Sequence, residues 1–485
     1  MRRALLLTCC WALAGCAQSP AAMMTTPRPA LPGAFALMAD TTATANIDGL
    51  LPLEDPAYKA LVEQTLSSAP SLSRAMARIE QARARVGMAD AERRPNLATE
   101  TTIAGSRLNP DQLGLDLPPD TRIDATRVSF GASLIFSWDL DLFGRLQAQQ
   151  TAAAANLDAA TAEAAAVRNL LLAEIASSVI DWRTLAARQT ALESDLAAAE
   201  DLVKLAYSRE RAGISPEFDR IRAASGVAAS RSRIAALENQ RTWVVGRLVS
   251  LTGASAQSIL AILQSQWVRG SSMPPPAAVP SDLLIRRPDI QAAAANLAAA
   301  DANLAAAAAQ RFPRLTLSAA LGLLAFSPDR LFSDQSAVGF GRGSLLAPLL
   351  DFGRIEAEIG SAAADKVAAF ANYREVVFGA LGDAETAYGL VAATDRELAA
   401  AIDEADTSGR AARLAEIRYR AGLSDFLTVL EARRTSDASG ERAAAAAGRA
   451  QRARVLLWRI LGGSPQLEGY PASSILGEAE AVDAN

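Results

Sequence analysis

Two stretches, residues 143–212 and 352–421, carry apolar side chains every three or four positions with charged residues opposite. In the first, Leu170, Ile175, Val179, Trp182, Leu185 and Leu192 mark the stripe. That is the period of an amphipathic α-helix. No proline interrupts either run. At 1.5 Å per residue each helix would be about 100 Å long. A helix so thin cannot bury itself, so it needs neighbours on its flanks.

Elsewhere the period changes to two. Across 126–138, Val128, Phe130, Ala132, Leu134, Phe136 and Trp138 alternate with Ser129, Gly131, Ser133 and Ser137. Across 314–325, Leu315, Leu317, Ala319, Leu321 and Leu323 alternate with Arg314, Thr316, Ser318 and Gly322. Residues 96–107 and 337–350 alternate less cleanly. Strands of about ten residues with one apolar face match a membrane barrel. Soluble hairpins would alternate in the same way, but the helices that could cover them are needed elsewhere. Bacterial membrane barrels need at least about eight strands, and an open edge in hydrocarbon is prohibitive. Four strands therefore require other subunits, in a number that the pattern leaves open.

Shorter helices complete the plan. Ascending helices are expected over 57–93 and 288–311, stopped by Pro95 and Pro313, and returning helices over 217–251 and 425–461. A proline lacks the N–H that the next turn requires. The halves are copies. Asp141-Leu142-Phe143-Gly144-Arg145 recurs as Leu350-Asp351-Phe352-Gly353-Arg354, and Arg211-Ala212-Gly213-Ile214-Ser215 as Arg420-Ala421-Gly422-Leu423-Ser424. Phe143 to Phe352 and Gly213 to Gly422 are both 209 positions apart. Two unrelated landmarks at one offset define an internal repeat. The proline-rich stretch Met273 to Pro280 marks the seam. The expected division is a first repeat over 56–272, a linker over 273–285, a second repeat over 286–463 and a tail over 464–485. The fold class is mainly α with a membrane β-barrel.

Composition supports long helices. Alanine dominates, and aromatics make up only 5%. The net charge of -5 points away from nucleic acid. The chain has no histidine, which removes the commonest general base and metal ligand. No enzyme chemistry, cofactor or metal is expected. Gly339-Phe340-Gly341-Arg342-Gly343-Ser344 lacks the Lys-Ser/Thr ending of a phosphate loop. Asp139 and Asp141 lie at a strand-to-helix junction, where capping is the ordinary use.

The start of the chain adds an address. Arg2 and Arg3 precede a short apolar run, Ala4 to Ala14, too short to span a bilayer. It ends in Leu13-Ala14-Gly15-Cys16, which resembles the lipobox of bacterial lipoproteins. The resemblance implies a signal peptide over 1–15 and a lipidated Cys16. Cys9 and Cys10 would leave with the signal, so no disulfide is expected. Ala17 after the cysteine implies sorting to the outer membrane. Residues 16–55, rich in Pro, Thr, Ala and Gly, read as a tether to that lipid.

The order of motifs resembles the outer-membrane efflux (TolC-like) family over nearly the whole chain after residue 50. The most specific part is Leu283-Leu284-Ile285-Arg286-Arg287-Pro288-Asp289-Ile290, an alanine-rich helix, then Phe312-Pro313. This is similar to the signature of the lipoprotein branch that serves resistance-nodulation-division pumps. Pro288 suits a first helical turn and Asp289 complements its dipole. The arginine pair has no reading from local rules.

The resemblance implies a homotrimer, a twelve-stranded barrel, and a long α-helical barrel crossing the periplasm. It implies a passive duct in a tripartite system with a periplasmic adaptor and an inner-membrane pump. The tips Arg211, Gly213, Ser215, Arg420, Gly422 and Ser424 would meet the adaptor. Locally, each glycine should end a helix in a left-handed cap and each serine should start the next. The family's two pore-facing acids fall on Thr428 and Glu431, only one of which is acidic. Its links between neighbouring helices fall on Asp219 and Tyr419, expected to share a hydroxyl-carboxylate hydrogen bond. A basic partner in some members falls on Ser424, which cannot play that part. Two other readings are a structural coiled-coil envelope lipoprotein and a type I protein-secretion duct. The alternating strands argue against the first, and the lipobox with the Arg-Arg-Pro-Asp segment against the second.

Overall fold

The computed structural model describes residues 32–38, 47–107, 126–265, 274–277 and 286–463. The expected signal peptide, Cys16, much of the tether and linker, and the tail over 464–485 lie outside the described residues. The helices are α1 Pro56–Ser68, α2 Pro70–Glu92, α3 Arg145–Arg211, α4 Glu217–Thr252, α5 Ala256–Leu263, α6 Pro288–Ala309, α7 Arg354–Arg420 and α8 Phe426–Ile460. The strands are β1 Asn96–Arg107, β2 Thr126–Leu140, β3 Arg314–Ala325 and β4 Ala337–Leu346. The helices α3 and α7 each have 67 residues, and both of their ends obey the 209-residue offset. The chain divides into two compact units, and α2, α3, α6 and α7 have residues in both.

The first unit includes Glu80–Ala159 and Ala294–Asn372. Its sheet is antiparallel, in the order β1-β2-β3-β4. Directly opposed residues share a face. Phe136 faces Ala319, Leu134 faces Leu321, and Ala132 faces Leu323, so the apolar sets of β2 and β3 fall on one side. That side is open, with Leu321 at 70% exposure. Gly322 lets the strands approach, because a Cβ there would lie 2.4 Å from the Ala132 carbonyl oxygen. β4 ends at Leu346 rather than 350, and β2 runs two residues further than expected.

Both strand-to-helix junctions turn on an aspartate. Asp141 accepts from the backbone N–H groups of Leu146 (3.0 Å) and Gln147 (2.7 Å). Asp351 accepts from Gly353 and Ile355, which holds its carboxyl below the usual range. Gly144 and Gly353 take left-handed angles (φ 76 and 88) as the chain reverses. Phe143 stacks on Phe312 at 4.8 Å, and the Trp138 indole donates to the Arg93 carbonyl.

The second unit includes Arg28–Ile79, Ala160–Ala293 and Tyr373–Asn485. Its core gathers Leu61, Ile175, Leu248, Ile259, Tyr388 and Trp458. The first ascending helix, expected to be continuous over 57–93, is two helices. Pro70 forces Ala69 out of the helical region (φ -66, ψ 121), and the break falls there. The short α5 went unseen in the sequence. Asp55 caps α1 by accepting from Ala57 N–H at 2.9 Å and also pairs with Arg183 of α3 at 2.9 Å from each of two nitrogens. Arg183 further donates to the carbonyls of Leu263 and Ser265. The segment at 32–38 is pinned to α7, where Glu385 accepts from the N–H groups of Ala36 and Leu37 at 2.8 Å each. Phe35 packs on Tyr388 beside them.

Of the arginine pair, Arg287 now has a physical account. Arg287 is buried, bound to Asp289 (2.6 Å) and near Asp383 (3.5 Å), and it donates to the Ile460 carbonyl. The Arg286 carbonyl lies so close to Gly462 that a Cβ there would meet it at 2.6 Å. The Arg287 side chain and the backbone at Arg286 fasten the beginning of the second repeat to the end of α8. Asp289 thus serves Arg287 as well as the helix dipole.

Candidate functional site

The two helical tips belong to the second unit. Each long helix ends on a left-handed glycine, Gly213 (φ 69) or Gly422 (φ 75). Gly213 N–H donates to the Glu210 carbonyl and Ile214 N–H to that of Arg209, both at 2.9 Å. Gly422 donates to Tyr419 and Leu423 to Arg418 in the same pattern. These are paired Schellman caps, as the glycines imply.

The helix starts differ from expectation. Neither Ser215 nor Ser424 caps the following helix. α4 begins behind Pro216 with no side-chain cap, and α8 behind Asp425, whose carboxylate accepts from Thr428 N–H at 2.7 Å. The Ser215 hydroxyl is buried without a partner, and that of Ser424 reaches the Asp425 carbonyl at 3.4 Å. The helices start one residue later than a serine cap allows. Proline needs no N–H there, and aspartate is the stronger acceptor. The Thr428 hydrogen bond holds the Asp425 carboxyl below its usual range.

The tip interior is a small core containing Leu202, Ala206, Tyr419, Phe426, Val429 and Leu430. Tyr419 is 3% exposed, tilted against Phe426 at 5.7 Å, with the Arg209 guanidinium 4.3 Å above its ring. Its hydroxyl is buried and unpartnered. Within one chain the Tyr419 hydroxyl therefore makes no bond to Asp219: Arg209 covers the ring and the core encloses the hydroxyl. Asp219 sits half-buried in the first turn of α4 beside Glu217, where the helix dipole favours acids.

Thr428 and Glu431 lie three residues apart on the exposed side of α8, opposite the buried Val429 and Leu430. The 209-residue offset pairs Thr428 with Asp219 and Glu431 with Arg222. The acid missing at Thr428 is thus present at its repeat counterpart, which a comparison of the halves could have revealed. Arg420 bonds back to Glu416 at 2.5 Å, and Glu416 also holds Arg433 at 2.6 Å. Arg211 is exposed and forms no ion pair among the described residues. Sequence reasoning overlooked the apolar tip residues: Ile214 is 68% exposed, Leu423 69% and Phe218 60%.

Twin 67-residue helices, each leaving an open-edged antiparallel sheet and returning through a glycine tip, define a channel-forming membrane protein. The sequence profile of the outer membrane efflux proteins matches residues 61–254 and 279–463, and the chain belongs to that family. It is an efflux channel of the outer membrane. It is 30% identical over 418 residues to the pyoverdine export outer membrane protein OpmQ of Pseudomonas aeruginosa, covering 85% of this chain and 86% of that one. Outer membrane protein OprJ of the same organism is 30% identical, with 93% of each chain covered. Among solved structures, the outer-membrane channel OprN superposes with a TM-score of 0.79 at 27% identity, covering 91% of this chain and 99% of its own. VceC of Vibrio cholerae superposes at 0.77 with 25% identity, covering 85% and 98%. The mainly helical fold with four antiparallel strands agrees with the sequence reading.

Proposed function

We propose that the chain assembles as a homotrimer and serves as the passive outer-membrane duct of a tripartite efflux system. The observation that carries this reading is the sheet with two unpaired edges and an open apolar face. Three copies, joined β4 to β1, close twelve strands and satisfy every edge. The apolar tips fit a periplasmic adaptor, which connects the duct to a resistance-nodulation-division pump that supplies the energy. Cys16 carries the lipid that tethers the chain to the outer membrane. The duct itself catalyses nothing.

Small-molecule cargo is favoured over protein secretion, because the related proteins include channels for pyoverdine export and toluene efflux. A structural coiled-coil lipoprotein would have no use for the sheet. The gate lies near the tips, with Glu431 and Asp219 as its acids, Thr428 beside Glu431, and Tyr419 packed behind them. Mass measurement of the detergent-solubilised protein, followed by planar-bilayer recording, tests the reading. A trimer that conducts is expected; a monomer, or a trimer without conductance, overturns it.

A further inference from the structure

The hairpin of α3 and α4 meets the hairpin of α7 and α8 through contacts of differing kinds. Arg209 lies over Tyr419, and Arg188 pairs with Glu441. A third contact brings two acids together. Asp195 of α3 and Asp437 of α8 set carboxyl against carboxyl within hydrogen-bond reach. Asp195 Oδ2 is buried and receives no bond from an N–H or hydroxyl group. The Asp437 side chain is only 14% exposed.

Two arginines face the pair and favour its ionised form, but each is held off from it. Arg233 of α4 comes no closer than 4.0 Å to Asp437. Arg433, one turn earlier on α8, is engaged by Glu416 of α7, and its Nε is buried without a partner. Arg188 is taken by Glu441. Two ionised carboxylates in this place repel each other, whereas one shared proton turns the contact into a strong O–H···O⁻ bond. The repeat counterparts, 209 positions away, are Glu404 and Ala228, so the second repeat position carries no such pair.

We propose that Asp195 and Asp437 form a proton-sharing clasp between the two hairpins, closed in acid and released as the pH rises. Burial, and then the neighbouring Asp437, push the Asp195 carboxyl up to about 7, and burial raises that of Asp437 also. A solvated aspartate ionises near 4. The raised value means that the packed arrangement binds the proton more tightly than the separated one. Its advantage is complete at acidic pH, declines as the separated form ionises, and is gone once the pH passes about 7.

Hydrogen exchange of the full-length protein in detergent tests this between about pH 5.5 and 8.5, with rates corrected for intrinsic pH dependence. Protection in peptides covering 190–215 and 425–440 should fall more than about tenfold across that range. Asp195→Asn, whose amide can donate permanently to Asp437, should stay protected at both ends. Asp437→Asn serves if the first variant does not assemble. A flat wild-type series, or a slope that persists in the asparagine variants, overturns the proposal. Bilayer conductance measured in parallel separates it from the channel reading. Exchange that shifts with pH while conductance does not leaves the clasp intact and removes the gate from this end of the helices.

Discussion

Replacing Asp55 by alanine should destabilise the second unit by about 3–5 kcal/mol, because it removes one partner of a buried charge pair. Asp55 is 1% exposed and the Arg183 side chain 14%. The change would leave the guanidinium enclosed with only the Leu263 and Ser265 carbonyls and the Ser265 hydroxyl. Those bonds survive and offset part of the loss. Loss of the cap on α1 adds about 1 kcal/mol. Asp55→Asn should cost less, since its side-chain oxygen can still cap Ala57. Arg183→Met combined with Asp55→Asn should cost less than the sum of the two single changes, because it removes both charges together. Urea unfolding of the detergent-solubilised protein, followed by circular dichroism, gives the four differences: the three single changes and the double one. A loss below about 1 kcal/mol for Asp55→Ala, or single changes that simply add, would refute a buried pair that works as a unit.

Gly448→Val should weaken the contact of α8 with α3, since a Cβ there would lie 2.3 Å from Thr184 Oγ1. About 1–3 kcal/mol is expected from overpacking in thermal melts, with partial rescue by Thr184→Ala; a neutral result would mean that the helices can separate freely. Tyr419→Phe should be neutral or slightly stabilising, because the lost hydroxyl is buried and unpartnered. A large rise in conductance in that variant would instead reveal a hydroxyl bond made in another state. Glu431→Gln should lower cation selectivity in single-channel recordings without dissociating the trimer, as removal of a ring of carboxylates requires; unchanged selectivity places the constriction elsewhere. Cys16→Ala should abolish labelling by radioactive palmitate, and equal labelling would remove the lipid anchor.

What could be read from the sequence was whatever repeats over a short distance. The limits of β3 follow from a period of two, and the ends of both long helices from a period of 3.6 and from glycine stops. The break at Pro70 was equally local, and was overlooked because the apolar period continues on both sides of it. The tip glycines were legible, since a left-handed cap needs only its own few residues. The helix starts were not, because Ser215 and Pro216 compete for one role and backbone geometry decides. Tyr419 shows the wider limit. A resemblance can assign it a partner, but Arg209 and Phe426 arrive from other helices to occupy its surroundings. The Asp195–Asp437 contact is of the same kind, with each acid unremarkable on its own helix.

The second unit is assembled from three separated pieces of chain, and its core waits for the last of them. Trp458, fully enclosed, donates its indole N–H to Asp48, a partner 410 positions earlier. Gly462 closes against Arg286, and its carbonyl accepts from Asn169. While the polypeptide is being made, no earlier stretch can complete this core. Such non-local contacts fold slowly, since long loops must close before burial rewards them. The core therefore cannot be completed until the final helix is available, and until then the apolar stripes it covers stay open to aggregation.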